Sequence, residues 1–561
     1  MNLRSLLAPV APPYDALEWE QKPFPERCRL ACQAWALQGY GSPPSVVLAY
    51  ALKVVLLAAA WLGFCALSPS LGPASEVSRW WLEPLAFQKA ILWAMCFESL
   101  GLGCGSGPLT GRYLPPVGGV LYFLRPGTTK RPLFVALGHR RSWLDVALYA
   151  ALQVSLVRAL ISPALEPSHF WPIVVLLPLL GVFDKTIFLA ARSEHYLTTV
   201  ACFLFAGNWI AGAKAVQMAL WFWAGVSKLN HHFPAVVGVM MSNSPTMRFP
   251  FFRRWMYRAY PDDLRPSQLA TWMAHAGTAL ELSVPLVLGL SSGGVGTLVG
   301  LAMMLALHGF ITSSVPMGVP IEWNVMVVYG AFFLFFAHAD VSLLSVGAPM
   351  GVVLAVVLIG VPLLGNLAPR WVSFLLAMRY YAGNWACSVW LFRGDSRKKL
   401  EKLTLGAPWP LEQLLRIYDR RTAVGLLGKV VAFRAMHLHG RALQLLLPKT
   451  VDRVEDYEWA DGELIAGLVL GWNFGEGHLH DEGLLRAVQQ QCGFEEGELR
   501  CLFIESQPLF KGELEWRIAD AKSGERARGT VTVDQLRALQ PWPPARPERS
   551  RGTPGPSVTE L

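Results

Sequence analysis

Lys228 stands where an aromatic, apolar helix turns polar. The stretch is Leu220-Trp221-Phe222-Trp223-Ala224-Gly225-Val226-Ser227-Lys228-Leu229-Asn230-His231-His232-Phe233. A lysine in apolar surroundings can serve as a base when desolvation or a nearby cation brings its pKa toward neutrality. A lysine at a helix end can equally run its apolar stem out to the headgroups. At about 100° per residue, Lys214, Trp221 and Lys228 share one helix face, with the two lysines about 21 Å apart. Those lysines therefore cannot form one site through this helix alone. Other ionisable groups in apolar stretches are Lys53, Lys89, Glu98, Asp145, Arg158, Asp184, Lys185, His275, Glu281 and His308. Such groups are costly inside a bilayer and are functional candidates by default. Lys53, Lys89, Arg158 and Lys185 sit near helix ends and are expected to snorkel. Asp184 beside Lys185 reads as a simple ion pair.

Two further motifs invite chemistry. In Gly138-His139-Arg140-Arg141-Ser142-Trp143-Leu144-Asp145, five residues separate His139 from Asp145. An acyltransferase-type His–Asp pair has four between them. Ser142 and Asp145 instead have the spacing of a capping box at a helix start. His478-Leu479-His480-Asp481-Glu482 follows the Gly-rich turn Phe474-Gly475-Glu476-Gly477. His478, His480 and Asp481 are candidate ligands for zinc or iron. The competing reading is a polar loop before a helix at 482–491.

The elements that must position these residues follow from composition. Of 561 residues, 53% are hydrophobic and 16% charged, against about 25% charged in soluble proteins. That balance argues against disorder and against a nucleic-acid partner. Residues 1–392 hold 25 basic and 16 acidic side chains, while residues 393–561 hold 24 of each. Charge density thus roughly triples near residue 393. The nine cysteines are scattered, without a CxxC, so neither a disulfide framework nor a cysteine metal site is indicated. We find no internal repeat.

We expect an all-α polytopic membrane protein with a smaller soluble α+β C-terminal domain. The divisions are a cytoplasmic N-terminal segment 1–44, a transmembrane domain 45–392, a soluble domain 393–540 and a disordered tail 541–561. A span needs about 20 apolar residues. Candidates are 45–66, 85–104, 143–163, 171–191, 268–290, 293–313, 322–338 and 347–366. The 194–228 stretch suits two tight or broken spans or one long tilted one, and 370–392 suits an interfacial or a spanning segment; two spans in the first, with the second in the interface, bring the count to about ten. Basic loops at 105–142, 229–267 and 393–402 then fall on the cytoplasmic side, with both termini. The expected location is the cell inner membrane. In the C-terminal part, helical periodicity covers 410–447, and β-rich stretches are 462–474, 499–510, 513–519 and 528–533.

The string Ala224-Gly225-Val226-Ser227-Lys228-Leu229-Asn230 resembles the signature of the vitamin K-dependent γ-carboxylase-like membrane family, also called the horizontally transferred transmembrane domain family. The similarity covers about 200–340. Leu280-Glu281-Leu282 resembles that family's helix with one acidic residue. Leu307-His308 resembles its helix with a lone histidine, and Trp323-Asn324-Val325-Met326 its following aromatic span. The resemblance implies a lysine base that deprotonates a reduced quinone. Carried over, Lys228 would be that base, with Glu281 and His308 positioning the substrate. Trp221, Gly225, Asn230 and His231 would contact an isoprenoid quinone. Ser227 stands where the carboxylases have a second lysine and Asn230 where they have aspartate. Their large β-rich luminal domain is missing. Glutamate carboxylation is therefore not expected; a shared scaffold with different chemistry is. The whole chain also resembles a bacterial family of uncharacterised transmembrane proteins. Expected partners are the bilayer and a lipid or quinone ligand, with a protein partner of the C-terminal domain unspecified. The other functional class is a non-catalytic scaffold, lipid-handling protein or proton-coupled carrier. A carrier would show paired half-repeats.

Overall fold

The structure is a computed structural model. It describes residues 3–103, 111–113, 118–205, 207–244, 247, 249–313, 320–372 and 379–543. The expected tail, 541–561, lies almost wholly outside the described residues. The molecule is mostly helical, with one five-stranded sheet near its C-terminal end.

Five helices among the described residues are long and apolar enough to cross a membrane: Pro44–Ala66, Trp143–Ile161, Gln268–Leu290, Gly294–Thr312 and Ala348–Leu367. The expected count of about ten is not confirmed by these five, although shorter apolar helices such as Pro167–Phe183 accompany them. The apolar segments fall where the sequence placed them, but several are short or wrapped in protein. Pro84–Ser99 has 16 residues and is buried on nearly every side. The 194–228 stretch forms two helices, Ser193–Phe203 and Trp209–Ser227, both largely buried.

Buried charges in this body are tied down rather than snorkelling. Lys89 Nζ donates to the Phe64 carbonyl at 2.7 Å. Lys53 Nζ donates to the Gly103 carbonyl and pairs with Glu322 at 3.0 Å. Asp184 pairs with Arg141 at 2.7 Å, not with its neighbour Lys185. In a dry interior an unpaired polar group is expensive, so partners come from across the fold. Ser142 and Asp145 form the expected capping box at the start of Trp143–Ile161. Asp145 also receives Lys130 at 2.6 Å, which leaves it no role with His139.

The sheet runs β4-β3-β5-β6-β7, all antiparallel, with β3 Cys387–Arg393, β4 Tyr457–Asp461, β5 Leu499–Ile504, β6 Glu513–Asp520 and β7 Gly524–Thr532. Strands β1 (Tyr257–Ala259) and β2 (Asp263–Pro266) form a separate small hairpin. Strand β3 corrects the reading of 370–392 as an interfacial segment at its end, residues 387–392. Val389 and Leu391 face one core, and Trp390 and Phe392 face another. Burial on both faces removes the alternation that marks a half-exposed strand. The expected β-stretch 462–474 is instead a helix, Gly462–Leu470, capped by Asp461 and ended at Gly471, whose φ is +84°. Glycine takes that left-handed conformation without a Cβ clash.

One core cluster joins Phe97, Tyr149 and Trp221 to Trp390, Val469 and Leu484. The N-terminal helix Phe24–Gln38 packs on Arg420–Met436, where the rings of Trp35 and Phe433 lie 5.7 Å apart. Trp35 Nε1 donates to the Val239 carbonyl at 3.1 Å.

Candidate functional site

Three helices converge on one cavity. Trp209–Ser227 contributes Leu220, Trp221 and Ala224, and ends at Lys228, its C-cap. Gln268–Leu290 contributes Met273, Gly277 and Glu281, and Gly294–Thr312 contributes Leu307, His308 and Phe310. The cavity has a volume of about 230 Å³ and nearly continuous apolar walls. Polar atoms in the wall are concentrated at a few points, the usual design of a small-molecule site.

The first point is Lys228. Its ammonium forms a buried ion pair with Glu281, with side chains 8% and 5% exposed. The Phe233 ring lies 5.3 Å from the same nitrogen. The second point is His308. Trp221 Nε1 donates to His308 Nε2 at 3.0 Å, and His308 Nδ1 lies 2.8 Å from Asn324 Oδ1. The indole nitrogen can only donate, so Nε2 must accept and Nδ1 must carry the proton. Asn324 Nδ2 donates in turn to the Pro320 carbonyl at 3.0 Å, which fixes its amide orientation. The relay Trp221, His308, Asn324, Pro320 thus selects one neutral tautomer.

The structure brings Lys228, Glu281, His308 and Trp221 together at the cavity. It places three other expected contacts elsewhere. Gly225 lies at the crossing with Gln268–Leu290, where a Cβ would come within 2.6 Å of Leu282. Its role there is close helix packing. The Asn230 side chain donates to the Ser227 carbonyl and accepts from His232 N at 2.7 Å, shaping the turn after the helix. His231 is exposed at the surface. Lys214 donates to the carbonyls of His338 and Val341 at 2.8 and 2.6 Å, far along the helix from Lys228.

His478, His480 and Asp481 do not converge as a ligand set. His478 Nε2 faces Glu505 at 3.0 Å and Nδ1 faces Glu476 at 3.3 Å. Burial opposes the charged imidazolium, yet Glu505 and Glu476 override it and lift His478 to about 10. An imidazolium flanked on both nitrogens has no lone pair for a metal. His480 Nδ1 lies 2.8 Å from Ser388 Oγ. Asp481 caps Glu482–Cys492 and pairs with Arg131 at 2.7 Å. Among the described residues no group of three His, Cys, Asp or Glu side chains is disposed to hold a metal. The loop-before-helix reading of this stretch accounts for its geometry.

Sequence reasoning missed the far wall of the cavity. Tyr380, Tyr381 and Trp385 come from the end of the expected transmembrane part, and Phe433, His437 and Phe474 from the C-terminal part. They lie about 150 positions or more from Lys228 and share no spacing pattern with it.

The chain matches, over residues 5–550, the family described as "Transmembrane protein of unknown function (DUF3556)". It belongs to that family. No curated protein and no solved structure matches the chain. The one family shown therefore takes in the 200–340 region along with both termini, and the γ-carboxylase-like resemblance of that region gains no support from these matches.

Proposed function

We propose that this transmembrane protein holds a lipid-soluble molecule in the cavity, its polar end at Lys228 and Glu281. One observation carries the reading: an apolar cavity among membrane helices whose ionisable wall groups include a paired lysine and glutamate beside a tautomer-fixed histidine. A molecule with an apolar body and a hydrogen-bonding head fits such walls. An isoprenoid quinone is one member of that class. On the carboxylase resemblance of the Ala224–Asn230 string, Lys228 would transfer a proton to or from its head, with Glu281 and His308 as positioning groups. We place the protein in the cell inner membrane.

The ion pair also favours a second reading. A lysine already neutralised by Glu281 can serve as a fixed headgroup contact, without catalysis, in a lipid-handling protein. Arginine keeps the charge but does not readily become a neutral base. Retained ligand and retained turnover in Lys228→Arg would select the binding role; retained ligand with lost turnover would select the base.

The test begins with the ligand. The protein is purified in nanodiscs, and its co-purifying lipids are compared by mass spectrometry between wild type and Lys228→Ala. One lipid or quinone enriched in wild type and lost in the variant is the expected result. The same bulk phospholipid in both would overturn the reading.

A further inference from the structure

A short helix, Pro250–Trp255, lies on the surface just before the membrane helix Gln268–Leu290 begins. Four aromatic rings in this segment face outward: Phe249, Phe251, Phe252 and Trp255 are 61%, 46%, 39% and 55% exposed. The rings pack on one another, with the Phe251 centroid 4.3 Å from that of Phe252 and 5.3 Å from that of Trp255. The helix is held from beneath. The Arg253 guanidinium donates to the carbonyls of Met247, at 2.6 Å, and of Leu37, while Met256 and Tyr257 enter the core shared with the N-terminal helix Phe24–Gln38. It is also tied to the start of the membrane helix. Ser267, the N-cap of Gln268–Leu290, donates through its hydroxyl to the Trp255 carbonyl and through its backbone N–H to the Met256 carbonyl at 2.9 Å. Leu269 and Trp272, in the first two turns of that helix, are themselves exposed. The ring cluster is thus fixed where an apolar helix begins its crossing, the depth at which aromatic side chains concentrate in membranes.

Charge in the same segment points to the headgroup. Residues 249–267 hold four arginines and two aspartates. Arg253 is turned into the protein, and Arg265 holds Asp263 at 2.9 Å. Arg254 and Arg258 are exposed and have no carboxylate partner among the described residues. The Arg254 guanidinium lies 5.4 Å from the Tyr260 ring, and Arg258 Nε donates to the Pro266 carbonyl at 3.4 Å. Apolar rings beside unpaired cations are the surface of an interfacial helix that favours anionic lipid.

We propose that Phe249–Arg258 is an interfacial anchor for anionic phospholipid. The four rings enter the boundary between headgroups and acyl chains, and Arg254 and Arg258 meet lipid phosphates. The anchor is a second lipid contact, independent of the cavity at Lys228.

The test places a fluorophore in the patch. The eight described cysteines are buried, so Phe252→Cys offers an accessible thiol for a bimane label, with the unsubstituted chain as the labelling control. The full labelled chain is placed in nanodiscs carrying either brominated phosphatidylglycerol or brominated phosphatidylcholine at a series of mole fractions. Both lipids should quench the label, and the association constants should favour phosphatidylglycerol by about fivefold per arginine. Arg254→Gln with Arg258→Gln should bring the two constants together while quenching by phosphatidylcholine persists. Equal constants in the labelled parent would overturn the anionic-lipid assignment. Quenching by neither lipid would overturn the anchor itself, because a patch covered by water, a soluble protein or a second copy of the chain keeps acyl chains away. The labelled parent decides between these outcomes even where the arginine variant fails to fold.

Discussion

Lys228 and Glu281, 53 positions apart in the chain, form a buried ion pair on the wall of an apolar cavity. Removing one partner of such a pair leaves an uncompensated buried charge, which typically costs 3–5 kcal/mol. Lys228→Ala should therefore destabilise the protein by about that amount. Lys228→Ala combined with Glu281→Gln should cost markedly less than the two single changes added together. Denaturant unfolding of the four species in nanodiscs would check this. Additive losses would mean that the two groups do not interact.

The tautomer of His308 is open to direct observation. Nitrogen-15 chemical shifts of the labelled side chain should report a neutral ring with the proton on Nδ1. Asn324→Leu removes the acceptor of that proton and should destabilise by about 1–3 kcal/mol. A proton on Nε2 in wild type would contradict the relay from Trp221.

Gly225 gives a packing prediction. Gly225→Ala pushes a methyl group into Leu282 and should cost about 1–3 kcal/mol. Leu282→Ala in the same chain should recover part of the loss by vacating the space. Thermal unfolding of the two variants would show it. A loss in Gly225→Ala that Leu282→Ala leaves untouched would point to backbone conformation instead.

The His478 pair predicts a pH dependence. His478 is raised from 6.5 to about 10, chiefly against burial, by Glu505 and Glu476. Its contribution is fully present below about pH 6.5 and is lost as pH rises through about 10. Glu505 is pushed up by burial but held down at about 2 by His478, so its contribution is present above about pH 4.5 and is lost as pH falls through about 2. Stability should thus decline on the alkaline side, between about pH 6.5 and 10, and His478→Gln should flatten that decline. Unfolding midpoints across this range are the measurement. An unchanged slope in the variant would remove His478 from the account.

The lysine, glutamate and histidine of the cavity were legible because an ionisable group in an apolar run is rare enough to stand out alone. Trp221 was legible because it lies two turns before Lys228 on one helix face. Gly225, Asn230 and His231 share the same short string, yet helical and turn geometry send each away from the cavity. Adjacency in sequence is not adjacency around a helix.

What the sequence by itself determined is local: the apolar segments, the capping box at Ser142, the helix at 482–491 and the charge contrast between the two parts. Each depends on neighbours within a few turns. Three things only the tertiary structure decided. Pro84–Ser99 is apolar because protein surrounds it, and composition does not distinguish a protein interior from lipid. Strand β3 is hidden in sequence because cores on both faces erase its alternation. Phe433, His437 and Phe474 reach the cavity of Lys228 because the C-terminal part packs on the membrane helices. That packing is set by the total apolar area buried, and no pair of residues announces it along the chain.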